Sequence, residues 1–168
     1  MKLFRNYIVR VYETLNTMAL GHMDDATLEL TLQNLNALGR AYDDFLALKK
    51  ELFKRIYGEV EKMTEDERKE LQDFFDMLGK VKDAETESAV KAAYPALYEK
   101  RQKEVKVLVS LLNKEIEVEI EPMDADAFVK GIVKGKKDTK IADIRAFFAP
   151  IFKAEKKDAD LSELDELM

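Results

Sequence analysis

The stretch that decides the fold is "DATLELTLQNLNALGRAYDDFLALKKELFKRIYG", residues 25–58, in which Leu28, Leu32, Leu35, Leu38, Tyr42, Phe45, Leu48, Leu52 and Ile56 recur three or four apart. Strand periodicity is two, so this spacing predicts one long amphipathic helix. Asp24 or Asp25 supplies a carboxylate for the free amides at its start, and Gly58 stops it. At ~1.5 Å per residue the rod is about 45 to 50 Å long. One helical partner of average length cannot cover it. Either a second long helix of this chain lies beside it, or another chain does.

The flanking segments repeat the same period. An extended start at Lys2 to Arg5 leads into Ile8, Val11, Tyr12, Leu15 and Met18, a short helix that ends near Gly21. After the rod, Thr64 with Glu67 forms a capping-box pattern ahead of Leu71, Phe74, Phe75 and Leu78. A polar connection, "KVKDAETES", then precedes Val90, Tyr94, Leu97, Val105, Leu108 and Leu112, the candidate antiparallel partner of the rod. Pro95 interrupts that run, and it either begins a helix or kinks one.

One segment alternates instead. In "LLNKEIEVEIEPMDAD", residues 111–126, Ile116, Val118 and Ile120 face one way and Glu115, Glu117, Glu119 and Glu121 the other, until Pro122 ends the ladder. A lone strand leaves its backbone groups unpaired, so its mate is the extended start near Leu3 or the edge of another protein. Downstream, Asp124 or Asp126 caps a helix through Phe128, Val129 and Ile132, and Asp138 or Thr139 starts a last one with Ile141, Ile144, Phe147, Phe148 and Ile151.

These elements predict a mainly α fold: a long antiparallel helical hairpin, shorter packing helices and one small two-stranded β element. Its 168 residues suit a single helical domain over 1–152 with an acidic tail, 153–168, that is mobile in isolation. With 37% charged and 46% hydrophobic residues the chain is globular rather than disordered. A net charge of −6 gives no global drive toward nucleic acid or an anionic membrane. The absence of cysteine excludes disulfides, thiolate zinc sites and thiol nucleophiles. No run reaches the ~20 apolar residues of a membrane span, and the N-terminus lacks a signal-peptide pattern. The expected location is the cytoplasm of a host cell or a virion.

Chemistry is sparse. His22, the only histidine, sits in "LGHMDD" beside a helix cap without a positioned nucleophile or orienting partner, so we read it as a loop residue. Asp24 and Asp25 are explained by capping rather than metal binding. "GIVKGKK", residues 131–137, has three residues between its glycines where a phosphate loop needs four, and Lys137 stands where Ser or Thr should be. The five lysines from Lys130 to Lys140 read as a solvated connection, and Asp43 and Asp44 as a solvent face. "YPALYEKRQK", with Tyr94, Tyr98, Lys100 and Arg101, only faintly suggests a stacking platform for bases. No catalytic, cofactor-binding or metal-binding residue is assigned, and no cofactor is expected. Candidate partner-binding residues are Ile116, Val118 and Ile120 on the strand, and Leu161, Leu164 and Leu167 in the tail, whose last eleven residues carry five acidic groups and no basic one. Those leucines suit the helix-in-groove mode of recognition.

The layout resembles a family of small uncharacterised helical proteins of tailed phages and prophages. The resemblance rests on "YETLNTM" closing the first helix, "LKKELFKRIYG" closing the rod, "LLNKEIEVEIEPMDADAF", and "DTKIADIRAFFAPIF", and it spans most of residues 1–152. It implies phage origin and no catalytic residue. The expected function is a non-enzymatic interaction or assembly protein with a phage or host protein as partner, or a second copy of itself. The alternative is an acidic inhibitor of a host or defence protein, acting as a nucleic-acid mimic or through a groove-binding tail.

Overall fold

The computed structural model describes residues 1–133 and 141–154. The fold is mainly α with one small two-stranded antiparallel sheet. In chain order the elements are β1 (Lys2–Phe4), α1 (Arg5–Thr17), α2 (Asp25–Tyr57), a 3-10 turn (Val60–Lys62), α3 (Glu65–Gly79), α4 (Ala84–Ala93), α5 (Pro95–Leu112), β2 (Glu115–Glu117), α6 (Ala125–Val133), α7 (Ile141–Phe148) and a closing 3-10 turn (Ala149–Ile151). The chain groups into two compact units. Among the described residues, one takes Met1, Arg10–Gly39 and those from Glu117 onward, and the other takes Lys2–Val9 and Arg40–Ile116.

Local chemistry sets the boundaries. Asp24 accepts hydrogen bonds from the Thr27 amide and hydroxyl, both at 2.8 Å, which starts α2 and holds the Asp24 carboxyl below the ordinary carboxylate range. At the far end Gly58 takes a φ of +99°, a conformation that a side chain would strain. The capping box at Thr64 and Glu67 is formed as the sequence predicts. A second one, Asp83 with Thr86, lies inside the segment read as a polar connection, so α4 is a helix in its own right. Its existence settles Pro95. Tyr94 breaks the helical path, and Pro95 begins α5, where its missing N–H costs no hydrogen bond.

The strand question resolves within the chain, because β1 is the mate of β2. The alternation is longer than the ladder, however, which stops at Glu117. Beyond it the Val118 amide donates to Met1 O at 2.8 Å, the Ile120 amide turns back to Val118 O at 2.9 Å, and Glu121 meets a side chain instead of a strand. Asn34, buried on α2, donates from Nδ2 to Glu121 O at 2.9 Å and accepts at Oδ1 from the Glu121 amide at 3.0 Å.

That contact widens the expected face of α2. Leu32 and Leu48 are 45% and 40% exposed, whereas Thr31, Asn34, Ala37, Leu38, Phe45 and Tyr57 are buried. The expected face otherwise holds, with Leu28, Leu35, Tyr42, Leu52 and Ile56 half-buried, but the buried side also takes in Thr31 and Asn34 because these two polar side chains find partners. Thr31 donates to Thr27 O at 2.7 Å and lies against the sulfurs of Met23 and Met123 at 3.6 and 3.5 Å. Around this seam the first unit packs Val11, Leu15, Leu38, Met123, Phe128, Ile144, Phe148 and Ile151. The Phe128 ring meets Phe148 edge-on with centroids 4.8 Å apart. Met123 also forms a parallel bridge with Phe152, receiving a hydrogen bond from Lys153 at 2.8 Å and donating to Ile151 O at 3.0 Å.

The glycine of the rejected phosphate-loop motif has a packing role. A Cβ on Gly131 would stand 2.5 Å from Met23 Cγ and 3.1 Å from Met23 Cα, so α6 approaches the 21–24 turn only because this position is bare. Gly131→Ala should lower the unfolding free energy by about 1 kcal/mol or more despite the better helix propensity of alanine, since overpacking costs ~1–3 kcal/mol. Gly21→Ala, with open space around it, should match or exceed the natural protein. Urea denaturation of both variants checks the pair.

Candidate functional site

The second unit builds its core on an aromatic chain. Phe53 and Tyr57 of α2 stack at 4.7 Å, Tyr57 meets Phe75 edge-on at 5.5 Å, and Phe74 reaches Tyr94 at 5.8 Å. Below Tyr57 lies a buried acid. Glu104 of α5 is 5% exposed and accepts a hydrogen bond from the Tyr57 hydroxyl at 3.2 Å. Arg101, one turn earlier on α5, donates to the same carboxylate oxygen. Burial chiefly, and then the negative charge of Glu104 with its hydrogen bond, push the Tyr57 hydroxyl well above the ordinary tyrosine value. Tyr57 is therefore a committed donor.

A cleft of about 370 Å³ opens among Tyr57, Met63, Glu67, Leu71, Leu97 and Lys100. A second of about 480 Å³ runs past Lys50, Phe53, Lys54 and Val60. Glu59, which also lines it, is paired with Lys54 at 3.0 Å and with Lys62 at 2.9 Å. Among the described residues no group of three or more His, Asp or Glu side chains is placed to hold a metal ion. The Tyr57–Glu104–Arg101 set uses its polar groups on one another, and so locks α5 against α2.

The lock fixes which way α5 faces. Glu104 is the only one of its eighteen residues that is buried. Leu97, Leu108 and Leu111 are half-buried beside it, and Val105, Val107 and Val109 are 41%, 41% and 50% exposed. At the end of the helix the buried Arg5 donates from Nη1 to Leu111 O at 2.9 Å, placing a cation where unpaired carbonyls collect.

The residues singled out from sequence fall elsewhere. Val118 and Ile120 are buried at 5% and 8% exposure, and Ile116 is half-buried, so the strand turns its apolar side into the protein. Leu161, Leu164 and Leu167 lie outside the described residues, as do Lys134, Lys136, Lys137 and Lys140. His22 is exposed in the turn before α2. No helix among the described residues is long and apolar enough to cross a membrane. No family model, curated protein or solved structure matches this chain.

The raised Tyr57 pKa carries a sign. In the unfolded chain a tyrosine ionises near 10, while in the folded one Tyr57 keeps its proton to higher pH, so its contribution is complete below pH 10 and is lost as pH rises beyond. The natural protein should therefore lose stability more steeply than Tyr57→Phe between pH 10 and higher pH. Denaturant titrations across that range, compared between the two proteins, measure the difference.

Proposed function

We propose that this chain is a non-enzymatic protein-interaction or assembly protein, of the phage or prophage type that its helix-and-strand layout resembles. The observation that carries the reading is α5, an eighteen-residue helix that buries a glutamate and leaves three valines 41–50% exposed within five residues. Single exposed apolar side chains are ordinary on any surface, but a concentration of them on one element is what contact surfaces have. On α2, Leu46 and Leu48 add exposed leucines at 42% and 40%. The partner is a phage or host protein, or a second copy of the chain.

Sedimentation velocity over a wide concentration range, alone and after coexpression with the products of neighbouring genes, tests this. The expected result is a species heavier than one chain in at least one of these conditions. A strict monomer throughout, which takes up none of the coexpressed proteins, contradicts it.

A further inference from the structure

We infer that a trough on the second unit, lined by Phe53, Phe75 and Arg68, binds a small aromatic carboxylate. The site goes beyond the interaction reading above and does not rest on it. Its lining residues, Phe53, Val60, Arg68, Leu71, Gln72 and Phe75, all belong to the 40–116 part of the chain and come from α2, the 3-10 turn and α3. The volume is about 260 Å³. Drug-sized ligands occupy roughly 300–1,000 Å³, so this space suits a single ring with a short side chain rather than a nucleotide. The apolar lining follows from packing. The Phe53 and Phe75 rings lie 6.0 Å apart at 32°, and both are half-buried, so each keeps surface that the other does not cover. Leu71 is buried, whereas Val60 is 41% exposed in a turn that buries none of its residues. A third ring entering here gains edge-on or offset contacts with the two phenyl groups.

Charge selects the ligand's polar end. Among the described residues Arg68 is the one charged side chain that lines the trough, and it makes no ion pair there although Glu65 stands three positions earlier on α3. Its Nε and Nη2 donate to Met63 O at 3.2 and 3.0 Å, which holds the guanidinium plane in place. The Nη1 group keeps its hydrogens for another acceptor. A carboxylate meets such a fixed fork through charge-assisted hydrogen bonds, whereas an amine meets a like charge. Gln72, the other polar side chain of the lining, gives its amide to Asp76 at 3.0 Å and adds no charge. The two larger clefts do not select in this way. Glu67, Glu70 and Lys100 line the 370 Å³ cleft, and Lys50 and Glu61 line the 480 Å³ one beside the Lys54–Glu59 pair, so each presents both signs.

The test titrates the full, isotopically labelled chain with phenylacetate and follows amide shifts by two-dimensional NMR. Saturable shifts centred on the Val60, Arg68 and Leu71 amides are expected, with a Kd on the order of 1 mM for so small a ligand. Arg68→Gln should weaken binding by roughly tenfold, and raised salt should weaken it too. Because Arg68 also holds Met63 O, Val60→Asp gives a second reading. That side chain is exposed, so the fold should persist, while a carboxylate facing the ligand's own should lower affinity by about tenfold. Phenylacetamide and benzylamine should both bind more weakly than phenylacetate. The inference is overturned if either binds as well, if no saturation is reached, or if a folded Arg68→Gln binds like the natural protein. Shifts that fall instead on the amides lining another cleft overturn it too. A peptide ending in phenylalanine that binds where phenylacetate does not would overturn the assignment to a small ligand. None of these outcomes alters the sedimentation result, so the interaction reading is judged separately.

Discussion

The backbone of one residue is held by a side chain rather than by a strand, and the first unit is arranged around that contact. Asn34 answers both polar groups of Glu121, as a neighbouring strand would, across 87 positions of sequence. Asn34 is buried, and a buried side-chain amide without partners costs about 1 to 3 kcal/mol, so the backbone of Glu121 supplies the donor and acceptor that this position of α2 needs. Three features follow from the pairing. The buried side of α2 is widened to include Thr31 and Asn34, the β ladder hands over to a side chain after Glu117, and the following residues reach Met123 in position to bridge Phe152. From there Asp124 caps α6 through the Ala127 amide at 2.9 Å.

A second polar contact orients the other unit by comparable physics. Glu104 points toward Tyr57, on the same arc of α5 as Leu97, Leu108 and Leu111. An apolar residue at that position would pack without direction, whereas a carboxylate that must meet one hydroxyl and one guanidinium fixes the rotation of the helix about its axis. The valines at 105 and 109 lie ~100–140° round from it and are turned outward as a result. The interaction role proposed for α5 is therefore tied to a buried polar network rather than to the apolar content of the helix alone.

Much of the fold was legible because it is local. Periods of three and four residues place α1, α2, α3 and α5, and short side chains beside free amides place the starts at Asp24, Thr64 and Asp124. The strand follows from alternation, and the need to pair its backbone groups left two mates open, of which the structure takes the extended start near Leu3. What was not legible depends on distant partners. Nothing near Asn34 in sequence announces Glu121, so a periodicity that scores asparagine as polar puts Leu32 inside instead. Glu104 was missed for the same reason, since its burial needs Tyr57, 47 positions away. Gly131 carried a signal that pointed the wrong way, because a glycine beside lysines suggests a loop and only the Met23 contact shows the close approach. Of the candidate partner-binding residues, Val118 and Ile120 are spent on the core, and Val105, one of the exposed valines of α5, was taken for core because it shares its spacing.

The most direct measurement is native-state amide hydrogen exchange at Glu121. Its N–H has Asn34 Oδ1 as acceptor, so it should be protected to the same degree as the Met123 amide in the natural protein. In Asn34→Ala that protection should fall while amides inside α3, α4 and α5 keep theirs. A Glu121 amide that exchanges in the natural protein as fast as in an unfolded chain would contradict the account.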